Sequence, residues 1–225
     1  NPVTKDFDVS INYAAAGDTA GASTAAMPGV TAKDVGHKSI SADDLNVTLN
    51  VTGQSQVNEL AGAFATPSAN LGSLGIDNVN LSFADGDVAN LLNASSTLNS
   101  SINALAQEGV DVSGTIDRTS KDALHLNDTQ STDLVLDGLH FAADDTIVLD
   151  VNASGTNLNT SLKQLQKLGV DAVSVAGGVD GINIDLGSDF NFSSMGGLPK
   201  FGDINANGTL TTDEQADLHV TLNAT

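Results

Sequence analysis

The stretch FAADDTIVLDVNASGTNLNTSLKQLQKLGVDAVSV, residues 141–175, decides the fold. Its early part, TIVLDV, is dense in β-branched and apolar residues and follows the acidic pair Asp144 and Asp145. That order predicts a turn and then a strand. Its last part, VDAVSV, has the same character, so a second strand is predicted there.

Between these strands, NTSLKQLQKLG has the spacing of an amphipathic helix. Leu158, Leu162 and Leu165 stand at i, i+4 and i+7 and therefore share one helical face. Thr160 or Ser161 can cap the start of the helix, and the glycine that follows it suits a left-handed exit. We expect Leu162 and Leu165 to pack the helix onto the strands.

A strand, a helix and a second strand within about 30 residues predict a βαβ unit, in which a right-handed crossover joins parallel strands. The predicted fold class is therefore α/β, with tandem irregular strand-helix-strand repeats and Asp-rich loops. A mainly-β sandwich is the alternative, and the high Thr, Asn and Gly content supports it.

Internal repetition extends this pattern along the chain. TLNSSINALAQEGVD aligns with NLNTSLKQLQKLGVD at a constant offset, so that Leu98 matches Leu158 and Asp111 matches Asp171. Upstream of each, the stretch from Phe83 corresponds to that from Phe141, and shorter relatives begin at Ser41 and Ala216. Equivalent asparagines in these copies stand at unequal distances, which speaks against a solenoid of fixed period. The predicted domains are an N-terminal strand and irregular segment (1–40), the tandem repeats (41–190), and a calcium-type loop with the start of a further repeat (191–225).

The charge narrows the classes of partner. The chain has 28 acidic and 8 basic side chains, a formal net charge of -20 and no cysteine. Nucleic acids and anionic membrane surfaces need basic contacts, so neither is expected as a partner. No apolar run approaches the roughly 20 residues that span a bilayer, so direct membrane insertion is not expected. Divalent cations are the natural counter-ligands.

One loop has the pattern of a calcium site. DINANGTLTTDE, residues 203–214, matches D-x-[DN]-x-[DN]-G-x5-E without a gap or substitution. The preceding GGLPKFG does not favour a helix, so a paired EF-hand is not expected, and an Asx-turn loop without metal is the alternative. The predicted Ca²⁺ ligands are the side chains of Asp203, Asn205, Asn207 and Glu214, the carbonyl of Thr209, and Thr211 directly or through water.

Pairs of aspartates recur elsewhere, each expected ahead of a strand. They could bind calcium between repeats, because hard cations need several converging oxygens, or they could be solvated turn residues. The pairs are Asp43/Asp44, Asp85/Asp87 and Asp144/Asp145.

Enzymatic chemistry has little support, and we expect no catalytic residues and no organic cofactor. Cysteine nucleophiles are excluded, and the chain has neither G-x-S-x-G nor H-E-x-x-H. Its four histidines are scattered, and we expect His125 and His140 to be ordinary half-buried or surface residues. Carbohydrate-cleaving sites usually add aromatic platforms, whereas this chain has no Trp and one Tyr.

Residues 41–190 resemble the degenerate repeats of large, acidic, cysteine-poor bacterial surface proteins, namely RTX-type adhesins and surface-layer proteins exported by type I secretion. The resemblance rests on Asp-Asp-strand, Leu-rich helix and Leu-Gly-Val-Asp, whereas the nonapeptide of RTX calcium rolls is absent. It implies an extracellular, calcium-loaded role at the bacterial cell surface, with neighbouring copies or repeats as partners.

Two functions follow as expectations. The first is a non-catalytic structural or adhesive segment of a calcium-stabilised surface layer, filament or giant adhesin. The alternative is a calcium-dependent domain that recognises a cell-surface glycan. An aromatic content of 4% weakens this alternative, because sugar binding favours aromatic stacking faces.

Overall fold

A computed structural model describes residues 7–13, 45–64, 70–152, 156–175, 181–187, 199–202 and 219–223. The chain divides into two compact units, which are considered separately below. The first comprises Asn1–Phe83 and Ser95–Gly114, and the second comprises Ala84–Ala94 and Thr115–Thr225.

Strands and helices alternate through the described ranges. The helices are α1 (Gly53–Phe64), α2 (Asp85–Leu91), α3 (Thr97–Ala106), α4 (Asp128–Leu136) and α5 (Leu162–Leu168), with a 3₁₀ turn at Gly72–Leu74. The strands are β1 (Phe7–Asn12), β2 (Leu45–Thr52), β3 (Asn78–Phe83), β4 (Asp111–Ile116), β5 (Leu124–Leu126), β6 (Leu139–Phe141), β7 (Ile147–Val151), β8 (Thr156–Asn157), β9 (Ala172–Val175), β10 (Gly181–Asp185), β11 (Lys200–Gly202) and β12 (His219–Asn223).

The sheet of the first unit adds its strands in chain order, β1-β2-β3-β4. β1 runs parallel to β2, and β2 runs parallel to β3. Alternation along β3 puts Val79, Leu81 and Phe83 inward, where they are buried. α1 packs on β2 and β3 and so covers the apolar side of the sheet, and α3 packs on α1.

The other face of this sheet is polar and open to solvent. Parallel sheets are usually covered on both faces, so a one-sided parallel sheet is uncommon. Asn12, Asn50 and Asn80 stand side by side on β1, β2 and β3. Their amides form an asparagine ladder, in which Asn80 Nδ2 donates to Asn50 Oδ1 at 3.2 Å and Asn50 Nδ2 donates to Asn12 Oδ1 at 3.1 Å.

The second unit contains two parallel sheets that the chain visits alternately. One has the order β5-β7-β9-β11 and the other β8-β10-β12. Each strand lies beside the strand two positions earlier in the chain, as Val148 of β7 lies beside Ala172 of β9 and Ala172 beside Lys200 of β11. The last residues of β4, Thr115 and Ile116, belong to this unit and are followed in their sheet by β6.

Helices α4 and α5 pack against each other in the second unit. Leu134, Leu162, Leu165 and Leu168 are buried. Ser161 caps α5 as predicted, because its Oγ accepts the Gln164 N–H at 3.3 Å while its own N–H donates to Gln164 Oε1 at 2.9 Å. This reciprocal pair is a capping box.

The α/β fold class and the parallel strands on either side of α5 are confirmed, and the tandem-repeat description stays a prediction. The sandwich alternative is wrong for the described residues. Their strands pair in parallel from β1 to β3, from β5 through β7 and β9 to β11, and from β8 through β10 to β12. Leu158 was wrongly placed in the helix. It precedes α5, where it is buried and donates its N–H to Asn183 O at 3.0 Å. The short strand β8 just before it was not predicted.

Two aspartates hold neighbouring strands together by the same pair of bonds, which we term an Asp clamp. The N–H of Asp77 donates to Val47 O at 2.9 Å, and its carboxylate accepts the N–H of Val47 at 2.7 Å. Asp171 makes the same exchange with Ile147, at 2.9 and 2.8 Å. Such charge-assisted bonds are stronger than neutral ones, so the clamps fix the start of each strand.

In both clamps the aspartate follows a glycine and a buried aliphatic residue. Gly75 has φ of 81° and Gly169 has φ of 91°, values that favour glycine. Ile76 and Val170 then enter the core. The Gly-aliphatic-Asp pattern therefore ends one element and aligns the next strand. Within the described ranges, no helix is both long enough and apolar enough to cross a membrane.

Candidate functional site

The predicted calcium loop lies outside the described residues. This applies to Asp203, Asn205, Asn207, Thr209, Thr211 and Glu214. β11 ends at Gly202 and β12 begins at His219, so the loop belongs to the connection between strands of two different sheets. Calcium binding there stays a prediction.

Among the aspartate pairs, Asp43/Asp44 also lies outside the described residues. Asp85 and Asp87 do not precede a strand, as the sequence pattern suggested, but stand in the first turn of α2. Asp87 Oδ2 accepts the Ala84 N–H at 3.1 Å, as an N-terminal cap does. The correction follows from the DGDVANL segment, whose acidic start suits a helix N-terminus.

Asp85 has a second structural role. Its Oδ2 accepts the N–H of Thr119 at 2.9 Å. Partial desolvation raises the pKa of Asp85, but hydrogen bonds from Thr119 and Ser120 and the charge of Arg118 outweigh it, so the net pKa is lowered. The carboxylate is therefore held ionised by protein donors.

Asp144 and Asp145 form a turn as predicted, but they are not simply solvated residues. Lys121 Nζ lies 3.0 Å from Asp144 Oδ2, 3.2 Å from Asp145 Oδ1 and 3.6 Å from Asp117 Oδ1. The Asp145 side chain is completely buried, and its Oδ2 also accepts the Arg118 N–H at 3.2 Å. We call this group the Lys121 cluster.

The Lys121 cluster already contains its cation. The hydrogen bond to Asp144 raises the pKa of Lys121, and the same bond lowers the pKa of Asp144. Both groups are therefore kept charged across the neutral range. A calcium ion at the Asp144/Asp145 pair would have to displace the ammonium group, which argues for a structural ion cluster.

A cleft of about 290 Å³ lies at the carboxyl ends of β5 and β7. Ligands of open α/β sheets commonly bind at such ends, which makes the cleft the strongest candidate for a small-molecule site. His125 stands beside it on β5, with Nδ1 at 2.9 Å from Asp150 Oδ1. The polar residues that line the cleft are Asn127, Asp128, Thr129, Asp150 and Asn152.

Several of these polar groups are engaged in holding the fold. Asn127 caps α4, with its Oδ1 accepting the Gln130 N–H at 2.9 Å. Asp128 Oδ2 accepts the side-chain amide of Asn159 at 2.6 Å and the backbone N–H of Asn159 at 3.1 Å. A further polar contact beside the cleft is the His125–Asp150 pair.

His125 and Asp150 were not recognised as partners from the sequence. They stand on neighbouring strands, where His125 lies beside Val148 and diagonal to Asp150. Only the strand register brings them together. His140 is half-buried as predicted, and its Nε2 lies 3.1 Å from Thr115 Oγ1.

In the part of the chain that the structure describes, no group of three or more His, Cys, Asp or Glu side chains could hold a metal ion. Comparisons of the chain with protein-family models, with curated proteins and with solved structures gave no match.

Proposed function

We propose that this chain is a non-catalytic structural or adhesive segment of a calcium-stabilised assembly on the bacterial cell surface, such as a surface layer, a filament or a giant adhesin. Its partners are neighbouring copies or repeats of the same protein. The observation that supports the proposal is the addition of parallel strands in chain order within each unit.

A stack of this kind suits a spacer. Each strand contacts its neighbours in the sheet, so the protein can become longer by adding further strands. Such an arrangement needs no central active site. The polar groups at the strand ends hold the strands of each sheet in place. Asp77 and Asp171 clamp adjacent strands, and Asp145 is neutralised within the Lys121 cluster.

Calcium provides the expected regulation of stability. With 28 acidic side chains the native chain repels itself, and a cation that binds only the native state stabilises it by mass action. Asp203 and Glu214 are the only charged ligands predicted in the loop, so we expect weak binding, on the order of 10⁻⁴ to 10⁻³ M. That affinity suits an extracellular protein.

The test is thermal melting at low ionic strength with excess calcium, with magnesium and with a chelator, beside calorimetric titration with calcium. Calcium should raise the melting temperature and magnesium should substitute poorly, because magnesium prefers a tight octahedron with retained water. Asp203→Ala and Glu214→Gln should weaken calcium binding. Asp122→Asn, which removes one exposed charge, should not.

Coincident melting curves in calcium and chelator would refute calcium stabilisation. Unchanged affinity and stoichiometry in both loop variants would show that DINANGTLTTDE is a polar loop without metal. If Asp122→Asn weakened binding as much as Glu214→Gln, general charge screening would explain the calcium effect.

A further inference from the structure

On the polar face of the first unit, the outward residues of β2 and β3 that the structure describes carry no charge, although the chain as a whole has a net charge of -20. An exposed acidic residue occurs on the flanking strand β4, at Asp111. The outward positions of β2 and β3 are Asn46, Thr48, Asn50, Thr52, Asn78, Asn80 and Ser82, all exposed or half-exposed.

These side chains are already ordered by one another. Besides the asparagine ladder, Asn50 Nδ2 donates to Ser10 Oγ at 2.7 Å and Asn78 Nδ2 donates to Asn46 Oδ1 at 2.6 Å. An amide offers two donors and two acceptor lone pairs, and each ladder bond uses one donor and one lone pair. Asn78 and Asn80 therefore retain hydrogen-bonding capacity toward a ligand, with little entropy left to lose on binding.

We propose that this face binds an extended, uncharged, β-1,4-linked glycan chain that lies across the strands. Neighbouring strands are about 4.8 Å apart, which is close to the length of one sugar unit in such a chain, so one sugar can meet each strand. Hydroxyl groups of the sugar match the amide and hydroxyl groups of the face.

The charge distribution favours this occupant over two others. An anionic polysaccharide would be repelled by the acidic chain around the face. A second copy of the protein would need an apolar or aromatic centre for a stable interface, whereas these seven positions are Asn, Thr and Ser. An uncharged glycan meets neither obstacle. The seven positions include no aromatic side chain for sugar stacking, so the binding rests on hydrogen bonds and should be weak. None of the seven positions belongs to the predicted calcium loop, so either proposal can fail while the other stands.

The experiment is affinity electrophoresis of the full chain in gels that contain hydroxyethyl cellulose, with cellohexaose titration as a second measurement, each made in chelator and again in excess calcium. The wild type should be retarded. Asn80→Asp keeps the shape of the side chain but adds a charge at the centre of the face, and we expect it to bind about tenfold more weakly. Gln107→Glu adds the same charge at the exposed end of α3, on the helical side of the unit, and should bind as the wild type does.

Thermal melting of each variant separates a loss of binding from a loss of folding, and Asn80→Ala provides a second, uncharged variant that should also bind more weakly. Absence of retardation for the wild type, or equal retardation of Asn80→Asp, overturns the proposal. Retardation that requires calcium favours the calcium-dependent glycan-recognition alternative instead. Self-association of the wild type without glycan, abolished by Asn80→Asp, would make the face an interface between copies.

Discussion

Two segments of similar sequence, residues 97–111 and 157–171, fold alike at one end and differently at the other. At their carboxyl ends the correspondence is close. Gly109 and Gly169 both have positive φ, and the following Val110 and Val170 are both buried. At their amino ends, α3 begins at Thr97, whereas α5 begins only at Leu162.

Capping explains the difference. Ser161 and Gln164 form a capping box that fixes the start of α5. The aligned residues in the other segment are Ser101 and Ala104, and alanine cannot return the bond. α3 therefore extends back to Ser96, whose Oγ accepts the Asn99 N–H at 3.1 Å. Shared apolar residues specify the buried face of a helix, but a single polar residue decides its length.

The shared part of the comparison predicts the largest effect. Leu105 and Leu165 are aligned, and neither side chain is accessible to solvent. Leu105→Ala and Leu165→Ala should each lower the free energy of unfolding by about 2–5 kcal/mol, since each leaves a cavity. Urea denaturation measures both. Ile102 and Leu162, equally aligned and buried, should behave in the same way.

If Leu105→Ala or Leu165→Ala left the free energy of unfolding nearly unchanged, the comparison would be wrong. Truncation of a side chain that packs in the core should lower that free energy. An exposed position provides the control. Leu136 is 76% exposed on α4, and Leu136→Ala should change stability little.

The amino ends of the two segments, which differ, predict a smaller change in stability. The same substitution at the aligned residues Ser161 and Ser101 should have opposite effects. Ser161→Ala removes the N-cap of α5 and should cost about 1 kcal/mol. Ser101→Ala replaces an interior residue of α3 by the best helix former, so we expect no loss or a slight gain. Circular dichroism melts of the two variants measure the contrast. Equal losses would mean that capping does not set the two helix lengths.

Much of the structure of residues 141–175 could be predicted from the sequence, because its signals are local. The apolar runs predicted β7 and β9, the leucine spacing predicted the buried face of α5, and Ser161 was one of two expected caps. β8 could not be predicted, since Thr156 and Asn157 have no apolar pattern, and they pair with β10 far along the chain.

The candidate sites show the same limit. The Lys121 cluster joins Lys121 to Asp144 and Asp145 across two strands and a helix, and the His125–Asp150 pair depends on strand register. Both sites join residues that are far apart in the sequence, and no sequence motif predicts them. The Gly-Val-Asp pattern was visible, but the hydrogen bonds of the Asp clamp at Asp171 required the position of Ile147. The calcium loop has a local motif, but its residues lie outside the described ranges.

The carboxyl ends of the helices sharpen the comparison further. α5 has Lys167 in its last turn, where a positive charge is favourable beside the helix dipole. α4 has the opposite arrangement, with Asp133 in its last turn and Asp137 at its C-cap. These two carboxylates stand four residues apart, a spacing at which like charges destabilise a helix. α4 therefore ends under electrostatic strain that α5 lacks.

That strain predicts a small effect on stability, and this effect depends on pH. Burial, aided by the charge of Asp133, raises the pKa of Asp137 from 3.8 to about 6. The native state therefore holds this proton more tightly than the unfolded state does, so the contribution of Asp137 to stability is greatest at low pH and is lost as the pH rises toward 6.

Asp137→Asn keeps the shape of the side chain and removes its charge. At pH 7.5 the variant should be more stable than the wild type by about 1 kcal/mol, after allowance for screening of a partly exposed group. The difference should shrink as the pH falls below about 6 and should vanish only below about pH 3, where the wild-type carboxyl is neutral in both states. Urea denaturation at a series of pH values measures it, with Asp122→Asn as the control for removal of an exposed charge. A gain that stays constant across this range would show that the ionisation of Asp137 is not its cause, and that α4 and α5 do not differ in this way.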